Sequence, residues 1–532
     1  MRKVLLYICS VFILGGMTSC EDFLDKREDV GLTEDDIFRD YYSLRGFLDQ
    51  SFNQLENVMV MDNWENGRAF VGLFADEMAT TDNSSAVFTL HSGNWLSNAK
   101  SNKTFEIGNA GSTAISRSYK ALRINNRIIN DIDKAPLTPE QKNEILGQAY
   151  FYRSWFYFQI IKRYGGMPII DKVFEGGDDD IPRMTYHESH DWMMEDIQKA
   201  IYMLPDSWDD PNYGRPTKIA AMALKEWAQL FDASPLMQND LNSTENKGYD
   251  TERAKSAAKS AYEVIRYMDG SKSAPYPYGL ASKEEYTNVF YFKYPPVHQP
   301  EYIWVKRQFP NAANQNQKRT IRTFWQYEDL AFGSGPDGNS MCCPSLNIVN
   351  MFDKKGADGI YYPIDDPRSG YALDYDHKPF EDRDPRFYNN ILLPGTTWGH
   401  YADGRTYYIT TYKGGAAYQH MLTQKDCNKR MFTGFMCKKF MWPECNQYLE
   451  KNNPNCWWDY RFLTIYIRAS QIYLDYAEAL FEGCGSATAT IEGCPISAAE
   501  AINILRRRIG LTDLPSDIVA DPDKFRAAYR RE

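Results

Sequence analysis

The stretch "EILGQAYFYRSWFYFQIIKRYGG", residues 144–166, restricts the chain more than any other. Thr138-Pro139-Glu140-Gln141 opens a helix in front of it. Thr138 is suited to cap, Gln141 stands three residues on, and Pro139 sits in the first turn, where its missing N–H costs nothing. Lys162 and Arg163 suit the negative end, and Gly165-Gly166 stops the run. From Tyr150 to Ile161, apolar and aromatic side chains point to every side of such a helix. A helix without a polar face has to be enclosed by neighbours. The fold class expected is therefore mainly α, a stack of helices rather than helices laid on a sheet.

Two further segments extend that stack. "TKIAAMALKEWAQLFDASP" starts after Pro216, is rich in small residues that allow close helix approach, and stops before Pro235. "YIRASQIYLDYAEALFEG" carries apolar residues at helical spacing. Ser497 to Glu500 then forms a second capping box that opens "AINILRRRIG", with Gly510 as terminator. Paired helices of this kind are the unit of tetratricopeptide-like solenoids, although no clean repeat period is visible. Between about Ser271 and Trp458 helical periodicity is lost. "APYPYG", "YFKYPPVHQP" and "AFGSGPDGNS" crowd Pro, Gly and aromatics, with strand-like runs at "EYIWVKRQF" and "RTYYITTY". This region is expected to be a loop-rich subdomain, and loops on a rigid scaffold are where binding residues concentrate.

The N-terminus has a different logic. Arg2 and Lys3 precede an apolar run from Val4 to Leu14, then small residues, then Cys20-Glu21-Asp22. That is the layout of a secretory signal, too short for a membrane span of about 20 residues. A cysteine directly after the small residues is similar to a bacterial lipoprotein signal, cut before Cys20 so that its thiol carries the lipid. The plainer alternative is an ordinary signal peptide with an incidental cysteine. Net charge is −11, and Lys and Arg cluster only at the helical Arg506–Arg508, which argues against nucleic acid as partner. Eight cysteines remain after Cys9 and Cys20, with no C-x-x-C spacing, so no structural zinc site is expected. In an exported chain they point to disulfides, Cys484–Cys494 being the best-spaced pair.

These pieces together resemble the SusD/RagB family of outer-membrane nutrient-binding lipoproteins. Cys20-Glu-Asp-Phe-Leu-Asp25 resembles the family's mature N-terminus. "AYFYRSWFYFQIIKRYGGMPII", "RPTKIAAMALKEWAQLFDASP", "EDRDPRFYNNI", "YIRASQIYLDYAEAL" and "AINILRRRIGL" resemble family segments in the family's order. The resemblance implies a helical fold of four tetratricopeptide-like helix pairs with an irregular glycan-facing part. It implies no catalysis and no cofactor, and as partner a SusC-like TonB-dependent outer-membrane barrel over which the lipoprotein sits as a lid. The expected organisation is 1–19 signal peptide, 20–270 helical region, 271–460 ligand-facing subdomain and 461–532 closing helical part. In the family the last Arg-Arg-Glu continues into a further helix, so against that pattern an ending at Glu532 reads either as truncated or as unusual.

A glycan offers apolar CH faces and rings of hydroxyls, so its binder needs flat aromatics flanked by amides and carboxylates. The resemblance favours the loop after the early helices and the mid-chain loops. Expected ligand contacts are Trp95 with Asn94 in "HSGNWLSN", Trp325 with Tyr327 in "RTFWQYED", then Asn83 and Trp64. Weaker constellations are read structurally. His187-x-x-His190-Asp191 is read as capping a helix, with no metal. Asp365, Asp366, Asp374, Asp376, Asp382 and Asp384 are read as a solvated loop rather than a calcium site. In Arg383-Asp-Pro-Arg386, an Asp capping a turn and paired with Arg is the expected role. Two other functions compete: a RagB-like peptide binder, equally served by Trp and Tyr, and a glycoside hydrolase, which needs two carboxylates about 5 to 9.5 Å apart.

Overall fold

The aromatic stretch becomes a helix with the ends its sequence sets. The computed structural model describes residues 33–55, 75–79, 114–174, 180–239, 245, 247–290, 298–307, 343–374, 376–400, 406–415, 433–439 and 463–532. Its long helices are α1 (Tyr41–Gln54), α2 (Ala114–Asp131), α3 (Pro139–Tyr164), α4 (Tyr186–Met203), α5 (Lys218–Ala233), α6 (Thr251–Gly270), α7 (Ala469–Cys484), α8 (Ala498–Arg508) and α9 (Pro522–Arg531). At the start of α3, the Gln141 N–H donates to Thr138 Oγ1 (3.3 Å) and the Thr138 N–H to Gln141 Oε1 (3.0 Å). At its end Gly165 takes φ +77°, open to glycine at little cost. A Cβ on Gly166 would lie 2.1 Å from the Met184 carbonyl oxygen, so only glycine lets the chain entering α4 pass there.

Every side chain from Phe151 to Ile161 is buried. The cover comes from consecutive packing: α1 on α2, α2 on α3, α3 on α4, α4 on α5, α5 on α6. The chain then leaves for about 200 residues and returns, so that α7 packs on α6 and α8 on α7. The result is the mainly α, tetratricopeptide-like scaffold that the pattern implies. No helix among the described residues is long and apolar enough to cross a membrane.

One antiparallel ladder ties the excursion to the scaffold. Strand β1 (Tyr302–Arg307) pairs with β2 (Leu463–Arg468), with Leu463 opposite Arg307 and Ile465 opposite Val305. Here the sequence reading of "YIRASQIYLDYAEALFEG" as one helix is corrected. The β-branched, aromatic "LTIYIR" is strand and the helix begins only at Ala469, because pairing with β1 claims its backbone groups. Trp304 on β1 is 2% exposed. Its ring lies 4.8 Å from Phe151, 4.7 Å from Trp155 and 4.6 Å from Tyr466.

Among the described residues, the rest of the excursion holds short two-stranded ladders and brief helices around a small core of Val349, Phe387 and Ile391. Asp384 caps the short helix Pro385–Asn390, accepting from the Arg386 N–H at 2.8 Å and pairing with the Arg386 guanidinium at 2.6 Å. The acids of this region turn to separate partners, Asp366 to Arg368 and Asp374 to His377. Two expectations change. Cys484 and Cys494 are both free thiols: Cys494 is buried in the turn closed with Ile491, while Cys484 stays half-buried at the end of α7, where Gly485 (φ +69°) redirects the chain. The Ser497 box is half-made. The Glu500 N–H donates to Ser497 Oγ at 3.2 Å, but the Glu500 carboxylate turns to Arg507 instead.

Two predictions follow from this packing. Trp304→Ala should cost about 3–5 kcal/mol, the usual range for removing a buried Trp, read as a lower chemical-denaturation midpoint with the fold retained at low denaturant. Glu226 on α5 is fully buried. Burial, and the Asp475 carboxyl of α7 near it, push Glu226 well above the carboxylate range. Burial and the neighbouring Glu478 push Asp475 up to about 7, against the lowering effect of the hydrogen bond from Gln471. Both carboxyls thus hold protons in the fold that the unfolded chain has lost, so stability falls as pH rises from the ordinary carboxyl range through about 7. Glu226→Gln should flatten that fall, measured by thermal melts between pH 5 and 8.

Candidate functional site

Trp64, Asn83, Asn94, Trp95, Trp325, Tyr327 and Cys20 lie outside the described residues. Of the acids near them in sequence, Asp76 is described and is engaged in structure. Its carbonyl accepts from the Ser345 hydroxyl, and its carboxylate accepts from Asn347 at 3.2 Å. Trp304, a strand tryptophan, is committed to the interior.

An aromatic patch does form where three segments converge: the α4–α5 connection, the loop after α6, and the approach to β1. It is lined by Trp208, Tyr213, Tyr276, His298 and Tyr302. The first segment, "DSWDDPNYGRP", turns through Asp210–Asn212 with Pro211 in the first turn. Asn212 donates to Asp209 Oδ1 at 2.5 Å and holds the turn. The Trp208 indole N–H donates to the Pro216 carbonyl at 2.8 Å, which fixes that ring.

The base of the patch is rigid. Arg215 forks onto Asp49 of α1 at 2.7 and 2.9 Å, and also donates to Gln148 and Asn212, both at 3.1 Å. Bidentate pairing of this type holds direction as well as charge. The Trp304 indole N–H donates to the Gly214 carbonyl at 3.2 Å, linking the patch to the aromatic core. Above this base the His298 ring stacks on Tyr276 at 3.7 Å and meets the edge of Tyr213 at 4.6 Å. Nε2 of His298 lies 3.1 Å from Asp210 Oδ1. Among the described residues the rings line a space of about 40 Å³.

The segments "APYPYG" and "YFKYPPVHQP" read from sequence as aromatic loops, but the tryptophans are the expected contacts there, and Tyr213, Tyr276 and His298 are not among them. Their signal was the alternation of Tyr with Pro, which fixes the backbone and limits the ring's freedom. Nothing local announces that residues 213, 276 and 298 meet.

Comparison with known proteins adds the following. Residues 22–226 match a family model described as starch-binding associating with outer membrane, and residues 300–532 match the SusD family. Among solved structures, a SusD-like protein from Bacteroides fragilis is 22% identical, with 94% of this chain and 84% of that chain covered and a TM-score of 0.65. A SusD-like carbohydrate binding protein from the same organism is 19% identical, with 93% and 83% covered and a TM-score of 0.64. A laminarin binding SusD-like protein is 16% identical, with 92% and 87% covered and a TM-score of 0.56. No curated protein matches the chain.

Proposed function

The chain belongs to the SusD/RagB family, and from that premise we propose that it is a lipoprotein, anchored through Cys20 in the outer membrane, that captures oligosaccharide or polysaccharide outside the cell and hands it, without catalysis, to a SusC-like TonB-dependent barrel. The observation that carries the glycan part is the shallow aromatic patch of Tyr213, Tyr276 and His298 on a rigid base. It offers flat rings and polar edges. Two similar solved structures are named for a glycan, one with xylogluco-oligosaccharide and one binding laminarin. The remaining platforms in this reading are Trp325 with Tyr327 in the ligand-facing part, and Trp95 with Asn94 and Asn83, and Trp64, in loops of the region 20–270. The division at residues 20–270, 271–460 and 461–532 is part of the same proposal, with β1 and β2 marking where the chain enters and leaves its irregular half.

The test is calorimetry of the purified chain against plant, host and microbial glycans. At least one should bind, and Trp95→Ala, Trp325→Ala or Tyr276→Ala should weaken it about tenfold or more, about 1.4 kcal/mol per factor of ten. Silence across the panel combined with retention of peptides would replace the glycan by a peptide ligand. In cells, Cys20→Ala should move the protein out of the membrane fraction; unchanged membrane retention would remove the lipid anchor from the proposal.

A further inference from the structure

His187, His190 and Asp191 open α4, yet they do not cap it. Thr185 does that, accepting from the Glu188 N–H at 3.2 Å while the Glu188 carboxylate accepts from the Thr185 N–H at 2.9 Å. The expectation that the histidines serve as caps is thereby corrected, and their side chains are left for another task. They turn to Asp232, near the end of α5, which is 1% exposed.

The donor atoms stand close together. His190 Nδ1 lies 3.0 Å from Asp191 Oδ1 and 3.5 Å from Asp232 Oδ2. All three groups offer ligand atoms within 4.8 Å of one another. Zinc binds imidazole nitrogen and carboxylate oxygen at about 2.0–2.2 Å, which sets neighbouring ligand atoms of a tetrahedron about 3.3 Å apart. The two separations at His190 bracket that value. His187 Nδ1 sits 2.6 Å from Asp232 Oδ1, the other carboxylate oxygen, and fixes its direction. Orientation of a ligating carboxylate by a second hydrogen-bonded group is how metal sites are tuned. From these separations we propose that His190, Asp191 and Asp232 form a divalent transition-metal site of the zinc class that pins α4 to α5.

One cation of the chain's own already serves these acids. The Arg253 guanidinium meets Asp232 Oδ2 and lies 3.6 Å from Asp191 Oδ1. A metal has to take its place. Arg253 can withdraw, because its side chain is a third exposed and Asp250 offers another carboxylate at 3.9 Å. Guanidinium and metal therefore compete for the same two oxygens. This competition separates the proposal from a purely structural ion cluster, in which removing the arginine would weaken everything.

The test is titration of the full chain with Co²⁺, read by its visible absorption, followed by displacement with Zn²⁺. One equivalent should bind with a tetrahedral spectrum, and Zn²⁺ should raise the melting temperature. Asp191→Asn, at a mostly exposed side chain, should weaken binding about tenfold or more, as loss of a coordinating or supporting group does. Arg253→Gln should tighten it by a similar factor. If neither the natural chain nor Arg253→Gln binds saturably, or if binding survives undiminished in both Asp191→Asn and His190→Ala, the site does not exist.

Discussion

A helix with no polar face cannot end a structure; it has to be surrounded, and α3 imposes that condition on the rest of the molecule. Its lateral cover is α2 and α4, its remaining side takes Trp227 of α5, and Trp304 arrives from a strand 140 residues away in sequence. Even its one buried charge is accommodated on this principle. Arg153 forks onto Asp196 of α4 at 2.5 and 2.8 Å and donates to Asn126 of α2 at 3.0 Å. Buried charges persist when they are paired and hydrogen-bonded, and this one is satisfied by the two helices that the apolar residues had already brought alongside.

The irregular half is fastened by a different device. Glu301, fully buried just before β1, accepts from the Ala281 N–H at 3.1 Å and pairs with Arg468 at the end of β2 and Arg508 at the end of α8. Burial works against its charge, but the two guanidinium groups hold its carboxyl below the ordinary range. A second knot joins Arg506 of α8 to Asp353 and Glu532, and Glu532 in turn to Arg386. Removing one partner from such a knot leaves an uncompensated buried charge, whereas an apolar replacement of the whole knot would be tolerated. These contacts therefore define register: they decide where the irregular segments attach while leaving the segments between free in sequence.

How much of this was legible follows from the range of each interaction. The cap of α3 is written within the four residues Thr138 to Gln141 and its stop within Arg163 to Gly166, and both local signals agree with the structure. The strand β2 was taken for helix because "YIR" continues the apolar spacing of α7, and only the partner strand, some 160 residues earlier, reveals the difference. The Cys484–Cys494 pairing was inferred from spacing alone, and spacing carries no information about which way a turn at Gly485 sends the chain. At the candidate site the aromatic loops were visible as composition. The stacking of Tyr276 on His298 beside Tyr213 depends on three loops arriving together, a property of the scaffold and not of any of the segments. His187 and His190 read as caps because they stand near a helix start, while the local signal that decides the matter is Thr185, three residues before Glu188.

The same scaffold explains why the patch is shallow. Tyr213 and Trp208 sit on a connection whose backbone is tied down by Arg215, Asp49 and Gln148, so the rings cannot sink toward the core without breaking a bidentate pair. Trp304 fills the space beneath, its indole already bonded to Gly214. What remains above is a firm surface and almost no interior. Ordering costs are small for rings held in place before a ligand arrives. Trp304, which leaves so little room beneath Tyr213 and Trp208, is itself held there by Phe151 and Trp155, the rings by which α3 is buried.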